Sequence, residues 1–205
     1  MSKFKISYPS GATSIDTDEL KDLIPDYIST MGELNQLEQS NIADGFVWAG
    51  KQDLDDLLSV TFILKLHKNM FKQVWKWAGK IRKSNENLWV MKENIMTDLA
   101  ILIGNTKFWI ENKTFINDEI AARFHHRLVQ IHVYPIGNGR HARLMTDLLL
   151  QKLGENKFTW GTLGAHTSLE VEGQTRSDYV AAIQKADIDN FEDLIKSLKQ
   201  LFVQI

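Results

Sequence analysis

Residues 131–143 of the chain read Ile131-His132-Val133-Tyr134-Pro135-Ile136-Gly137-Asn138-Gly139-Arg140-His141-Ala142-Arg143. Apolar residues recur at helical spacing on both sides of this stretch, so its glycines are expected to make a turn between two helices. Small residues let backbone N–H groups approach a ligand, and the start of the second helix adds the positive end of a helix dipole. The stretch therefore predicts a cradle for phosphate groups.

Three side chains of this stretch suit chemistry at a phosphate. Arg140 and Arg143 are three residues apart on one side of a helix, and each guanidinium can bind phosphate oxygens through two hydrogen bonds. His132 carries a group whose ordinary pKa is close to neutrality, which suits removal of a proton from an attacking hydroxyl. The alternative is a plain interhelix turn with His132 as a helix cap, but that interpretation leaves two arginines without a purpose. A Walker A loop is excluded because no Gly-Lys-Ser/Thr is present and a helix precedes the turn.

The rest of the chain has the composition of a helical globular protein. Its 205 residues are 43% hydrophobic and 24% charged, and three prolines leave little to interrupt helices. The expected helices cover residues 54–77, with a break near 67–69, and residues 94–109, 117–130, 139–153, 177–186 and 191–202. We predict one all-α domain over residues 27–205, preceded by an N-terminal arm over residues 1–26.

Charge and hydropathy exclude several classes of protein. Lys and Arg number 24 against 26 for Asp and Glu, so the net charge of -2 lacks the basic excess typical of binding to nucleic acid or an anionic membrane. No apolar run approaches the roughly 18 residues of a membrane span, and residues 1–10 lack the apolar region of a signal peptide. The absence of cysteine excludes disulfides and cysteine-ligated zinc. We expect a cytoplasmic protein that has neither nucleic acid nor membrane as a partner.

The run from His132 to Arg143 resembles the Fic motif, His-Pro-Phe-x-(Asp/Glu)-Gly-Asn-Gly-Arg-x-x-Arg, in its histidine, its Gly-Asn-Gly and both arginines. Residues 74–82 resemble the family's segment leading into its flap, and residues 124–132 resemble its central helix. Residues 140–145, 158–161 and 179–183 are similar to the Fic branch called mobile mystery protein B. The resemblance covers most of the chain from about residue 11 onward.

This resemblance implies an all-α Fic-type helical bundle with a short β-hairpin flap. It also implies transfer of AMP from ATP to a Ser, Thr or Tyr hydroxyl of a target protein, with release of pyrophosphate. His132 would be the general base for that hydroxyl. The residues that would bind the ATP phosphates are Gly137, Asn138, Gly139, Arg140 and Arg143, of which Arg143 would hold the γ-phosphate.

One position departs from the family motif. The residue before Gly-Asn-Gly is an acid in the family, where it holds Mg²⁺ between the α- and β-phosphates, and here it is Ile136. A hard cation needs oxygen ligands, which isoleucine does not supply. Mg²⁺ is still expected, bound mainly through phosphate oxygens and water with Asn138 as a candidate further ligand, and activity is expected to be reduced.

Two glutamates lie in a predicted helix over about residues 31–43. Fic proteins often carry an inhibitory helix with the pattern (Ser/Thr)-x-x-x-Glu-(Gly/Asn), whose glutamate pairs with the second motif arginine. Leu37-Glu38-Gln39 resembles the core of that pattern, while Ser29 and Glu33 have its spacing. The resemblance therefore implies autoinhibition by Glu38 through Arg143, with Glu33 as the alternative inhibitor. A solvated helix face is the other interpretation of both glutamates.

A hairpin is predicted between residues 82 and 92, where turn-forming residues precede Leu88-Trp89-Val90. The resemblance makes this hairpin a flap to which a target segment adds by main-chain hydrogen bonds. The flap residues would be Ser84, Asn85, Glu86, Asn87, Leu88, Trp89 and Val90. An ordinary surface hairpin is the alternative.

Three functions are compatible with these residues. The first is a protein adenylyltransferase held down by an intramolecular glutamate. The second is a nucleotide-binding or partner-binding module that lost turnover because Ile136 replaced the motif acid. The third is a relative that transfers a different phosphate-containing group.

Overall fold

The computed structural model describes residues 21–85, 89–160 and 173–199, and most of these residues are helical. The helices are α1 (Met31–Ala49), α2 (Val60–Phe71), α3 (Ile95–Glu111), α4 (Asn117–Ile131), α5 (Asn138–Lys152), α6 (Gln174–Ala186) and α7 (Glu192–Lys199). Short 3₁₀ turns cover Leu54–Asp56 and Lys92–Asn94. The prediction of an all-α fold is confirmed.

The first two helices differ from their predicted bounds. Helix α1 continues past residue 43 to Ala49, and α2 runs unbroken through residues 67–69, where the sequence indicates an interruption. The polar residue responsible for that indication, His67, is fully buried and forms its hydrogen bonds with distant backbone groups. Its polarity is therefore satisfied inside the core, and the helix ends only at Phe71.

Two cores hold the helices together. Helix α1 packs against α2, and α4 packs against both α3 and α5, with the main core formed by apolar residues of these elements and of residues 74–78. Helices α6 and α7 pack on each other, and a second core joins them to Ala121, Ala122 and Leu150. None of the helices in the described part combines the length and the apolar character needed to cross a membrane.

The segment before α1 returns to the turn that follows α2. The Ile24 N–H donates to the Val74 carbonyl at 2.8 Å, and the Lys76 N–H donates to the Asp22 carbonyl at 2.9 Å. Leu23 and Trp75 form an isolated antiparallel bridge between these two hydrogen bonds. Residues 22–24 of the predicted arm are thus attached to the protein, while residues 1–20 lie outside the described residues.

The predicted β-hairpin contains no strand in its described arms, residues 83–85 and 89–90, and its turn at residues 86–88 lies outside the described residues. The Arg82 guanidinium joins the arms, because it donates to the carbonyl groups of Ser84 and Val90. Asn85 Oδ1 also accepts the Lys92 N–H at 2.7 Å. Side chains therefore make the connections in these arms that a β-ladder was expected to make. We call residues 83–85 and 89–90 the flap arms.

Candidate functional site

The glycine turn between α4 and α5 contains two residues in the left-handed region. His132 ends α4 with φ 51° and ψ 62°, and Gly137 precedes α5 with φ 83°. A Cβ at Gly137 would lie 2.6 Å from the Phe71 ring, so the position requires glycine for its space as well as for its φ. The two left-handed residues reverse the chain and lead it into the first turn of α5.

Asn138 closes this turn onto its own backbone. Its Oδ1 accepts the Tyr134 N–H at 2.9 Å, and its Nδ2 donates to the Tyr134 carbonyl at 2.6 Å. The side chain is buried, and both of its polar atoms are used in these bonds. Asn138 is therefore placed to shape the cradle, and its role as a further Mg²⁺ ligand stays a prediction.

The motif-acid position lies in the main core. Ile136 is 9% exposed and belongs to the main apolar core. The described residues contain no group of three or more His, Asp or Glu arranged to hold a metal ion. Ile136 supplies no oxygen ligand from its side chain, and the expectation that Mg²⁺ is bound mainly through phosphate oxygens and water stays a prediction.

His67 supports the turn from α2, a role that the sequence pattern does not indicate. The Gly79 N–H donates to Nδ1 of His67 at 3.0 Å, so the ring proton lies on Nε2, which donates to the Ile136 carbonyl at 3.1 Å. The imidazole also stacks on the Tyr134 ring with 3.5 Å between centroids. Burial lowers the pKa of His67 well below its ordinary value, which keeps the ring neutral. A single histidine in an apolar helix carries no sequence signal for this role.

His132 has the properties of a neutral base. The residue is half-buried, and burial together with the Arg82 charge lowers the pKa of its imidazole to about 4. The neutral form therefore dominates at neutral pH, and it can accept a proton from a hydroxyl. Its own carbonyl accepts a hydrogen bond from Arg82 Nε at 2.6 Å.

Glu38 reaches from α1 to the first turn of α5. Its Oε2 lies 2.7 Å from Arg140 Nη1, and its Oε1 accepts the Trp75 indole N–H at 2.7 Å. Glu38 is only 3% exposed, so this ion pair is largely shielded from water. The structure corrects the expected pairing with Arg143, because α1 meets the cradle helix at Arg140. The Arg140 guanidinium also lies over the Phe71 ring, 5.1 Å from its centroid.

Arg143 lies in different surroundings from Arg140. It is buried, and its charge adds to burial in lowering the pKa of His125 to about 3. Burial raises the pKa of Asp147 to about 6, although the Trp160 indole N–H and the charges of Lys157 and Arg143 oppose that rise. Arg143 therefore acts electrostatically on the side of α5 that faces the second core.

Glu33, the alternative inhibitor, is part of a helix cap. Its carboxylate accepts the N–H groups of Ser29 at 2.8 Å and Thr30 at 3.0 Å, and Thr30 Oγ1 accepts the Glu33 N–H. These bonds form a capping box at the start of α1 and lower the pKa of Glu33. The Ser29 to Glu33 spacing thus reflects helix initiation, while Glu38 is the glutamate that contacts the cradle.

The flap arms adjoin His132 through Arg82, which bonds both to them and to the His132 carbonyl. Val90 is buried, whereas Trp89 is 73% exposed. The remaining predicted flap residues, Glu86, Asn87 and Leu88, lie outside the described residues. An exposed aromatic ring on one arm is available for contact with another molecule.

Residues 57–150 match the Fic/DOC family. Over 129 residues the chain is 27% identical to protein adenylyltransferase Fic of Aedes aegypti, which covers 61% of this chain and 26% of that protein. The chain thus spans about a quarter of the length of the curated relatives it matches.

Solved structures share the fold. The BepC protein of Bartonella tribocorum, a VirB-translocated effector with bound AMPPNP, matches with a TM-score of 0.64 at 16% identity, over 94% of this chain and 93% of that chain. Fic-1 from C. elegans matches with a TM-score of 0.61 at 22% identity, over 88% of this chain and 51% of that chain. The likeness to the mobile mystery protein B branch stays a prediction. By this match, residues 57–150 form a Fic/DOC family domain, which holds the whole motif from His132 to Arg143.

Proposed function

We propose that this protein transfers AMP from ATP to a Ser, Thr or Tyr hydroxyl of a protein target, with pyrophosphate as the leaving group. The observation that carries the proposal is a neutral His132 beside a left-handed glycine turn that opens a helix bearing Arg140 and Arg143. Relatives named protein adenylyltransferases support the same reaction.

In the proposed reaction, His132 takes the proton of the acceptor hydroxyl. The hydroxyl oxygen then forms a bond to the α-phosphorus of ATP, and the bond from that phosphorus to the bridging oxygen of the β-phosphate breaks. Arg140, Arg143 and the N–H groups of the first turn of α5 bind the phosphate charge that leaves with pyrophosphate. Because Ile136 supplies no carboxylate, these groups carry more of that charge than they would beside a motif acid.

Labelled ATP tests this proposal. The chain is incubated with ATP labelled at the α- or the γ-phosphate, and auto-modification is read on a gel. The Glu38→Gly chain is run in parallel, so that autoinhibition is not mistaken for inactivity. We expect the α-label to appear on the protein and the γ-label to remain in solution. Transfer of the γ-label would indicate different group-transfer chemistry. Calorimetric ATP binding without transfer would indicate the binding module that Ile136 suggests.

We further propose that α1 inhibits the reaction through Glu38. While the carboxylate holds Arg140 Nη1, it competes with phosphate oxygens for that guanidinium, and ATP meets a negative charge at the cradle. The low exposure of Glu38 makes the ion pair stronger than a surface pair. The two carboxylate oxygens have separate partners, Arg140 and Trp75, so the contact has a fixed geometry.

Replacing Trp75 by phenylalanine should weaken this inhibition. The change keeps an aromatic ring but removes the indole N–H that donates to Glu38, and hydrogen bonds to charged groups contribute about 1.5–3 kcal/mol. Since part of that energy is recovered through water, we expect auto-modification to increase by roughly fivefold, or ~1 kcal/mol. The measurement is the initial rate with α-labelled ATP.

Trp77 provides the matched control for this variant. Its ring stacks on that of Trp75 with 5.0 Å between centroids, but its indole N–H has no acceptor within the described residues. Trp77→Phe should therefore leave the rate within about twofold of the parent. Equal activation by both variants would attribute the effect to loosened packing and would contradict a role for the hydrogen bond to Glu38.

A further inference from the structure

Among the described residues, Arg82 makes hydrogen bonds to four carbonyl groups and so joins three segments of the chain. Its backbone N–H donates to the Val133 carbonyl at 2.9 Å, and its Nε donates to the His132 carbonyl at 2.6 Å. Its two terminal nitrogens donate to the carbonyl groups of Ser84 and Val90, one on each flap arm. The residue is 3% exposed, so these bonds are formed away from bulk water. One buried cation thus connects the backbone of the candidate base with both arms.

The His132 carbonyl needs a hydrogen-bond partner from outside its own helix, and it belongs to a residue with an unfavourable backbone conformation. His132 ends α4 in the left-handed region, which is sterically unfavourable for a side chain with a Cβ. Carbonyl groups at a helix C-terminus lack partners within their helix and carry the negative end of its dipole. A cation that donates to the His132 carbonyl favours this conformation on both counts.

The geometry requires a guanidinium. Nε and both terminal nitrogens donate to three different carbonyl groups from one rigid plane. Lysine has the same charge but places its three donors on a single atom at the end of a flexible stem, so it cannot reproduce these directions. Arg82→Lys therefore removes the connection while it retains a positive charge.

We propose that Arg82 is a positioning residue that holds His132 in its left-handed conformation and ties it to both flap arms. A target segment docked on the arms is thereby kept in a fixed position relative to the base that activates its hydroxyl. This inference rests on the proposed function, since it assigns a partner to the base of that reaction. Arg82 contacts neither the hydroxyl nor the phosphates in this role, and its effect passes through the backbone of His132 and of the arms.

Arg82→Lys in the Glu38→Gly background tests the kinetic part of this inference. Auto-modification is followed at increasing concentrations of α-labelled ATP. We expect the rate at saturating ATP to fall by about 10- to 100-fold, the size of a misplaced catalytic group, while the half-saturating ATP concentration changes by less than about threefold. A rate within threefold of the parent, or a loss that saturating ATP restores, would overturn the inference.

Arg123→Lys is the matched control. Arg123 is also largely buried and bonded, with its guanidinium between the Phe115 and Phe191 rings and in ion pairs with Glu119 and Asp189. It lies on α4 away from the cradle, so this variant should be less stable to heat yet retain its rate within about threefold. An equal loss of rate in both variants would assign Arg82 a general structural role and would contradict the inference.

Hydrogen exchange tests the connection without any activity. The His132 amide donates to the Leu128 carbonyl, and the Lys92 amide donates to Asn85 beside the flap arms. Arg82→Lys should raise the exchange rates of both amides together by about tenfold or more, and Arg123→Lys should raise neither. If only one amide or neither responds, the connection is refuted. If both amides respond but the Glu38→Gly parent transfers no label, the connection through Arg82 is upheld and the proposed function is refuted.

Discussion

Replacing His132 by alanine should lower AMP transfer by about 10²- to 10⁴-fold, the usual contribution of a general base, and should leave ATP affinity within about threefold. The imidazole is neutral because burial and the Arg82 charge lower its pKa to about 4, so the base is in its proton-accepting form at neutral pH. It acts on the acceptor hydroxyl, while the phosphates are assigned to other groups. Auto-modification with α-labelled ATP measures transfer, and calorimetry measures ATP affinity.

Alanine at position 132 also strains the backbone, so a second substitution is needed to separate that strain from the loss of the base. With φ 51°, His132 occupies a region that alanine tolerates poorly and asparagine adopts more readily. His132→Asn therefore removes the base with less strain in the turn. We expect both variants to lose transfer to a similar extent. Substantial transfer by His132→Asn would show that the alanine effect came from the backbone and would remove His132 from the proposed mechanism.

Replacing Glu38 by glycine should raise auto-modification by at least about tenfold, which corresponds to roughly 1.4 kcal/mol of relieved competition. The change removes the carboxylate that lies 2.7 Å from Arg140 and leaves the guanidinium available to phosphate oxygens. The initial rate with α-labelled ATP is the measurement. Arg140, rather than Arg143, should then be the arginine whose loss cancels the activation.

Two further substitutions sharpen the test of Glu38. Glycine costs about 1 kcal/mol within a helix and leaves the Trp75 indole N–H without its acceptor, whereas Glu38→Gln keeps an acceptor of the same shape and removes the charge. Glu38→Gln should therefore also activate, with a smaller loss of stability. Glu33→Gln should weaken the cap of α1 without activation. If only Glu33→Gln activates the protein, Glu33 rather than Glu38 is the inhibitory residue. If none of Glu38→Gly, Glu38→Gln and Glu33→Gln activates it, α1 does not inhibit the reaction and only packs against the rest of the protein.

Much of the candidate site could be predicted because it lies within one short run of sequence. The run from His132 to Arg143 places the histidine, the glycine turn and two arginines close together in the chain, whatever surrounds them. Helical periodicity likewise predicted α3 to α6 closely, since the period depends on neighbouring residues alone. The predicted break in the helix near residues 67–69 was wrong, because the buried His67 side chain forms its hydrogen bonds with backbone groups that are far away in the chain.

The sequence by itself determined the helical class and the position of the glycine turn, and its resemblance to the Fic family singled out Glu38. Only the tertiary structure decided that Glu38 pairs with Arg140, that Trp75 shares its carboxylate, that His67 supports the turn and that Arg82 joins His132 to the flap arms. The partners in the last three of these contacts are 37, 69 and 50 residues apart in the chain, respectively. The physical reason is that hydrogen bonds and ion pairs depend on the distance and direction between two atoms, and for residues so far apart these are set by how helices pack.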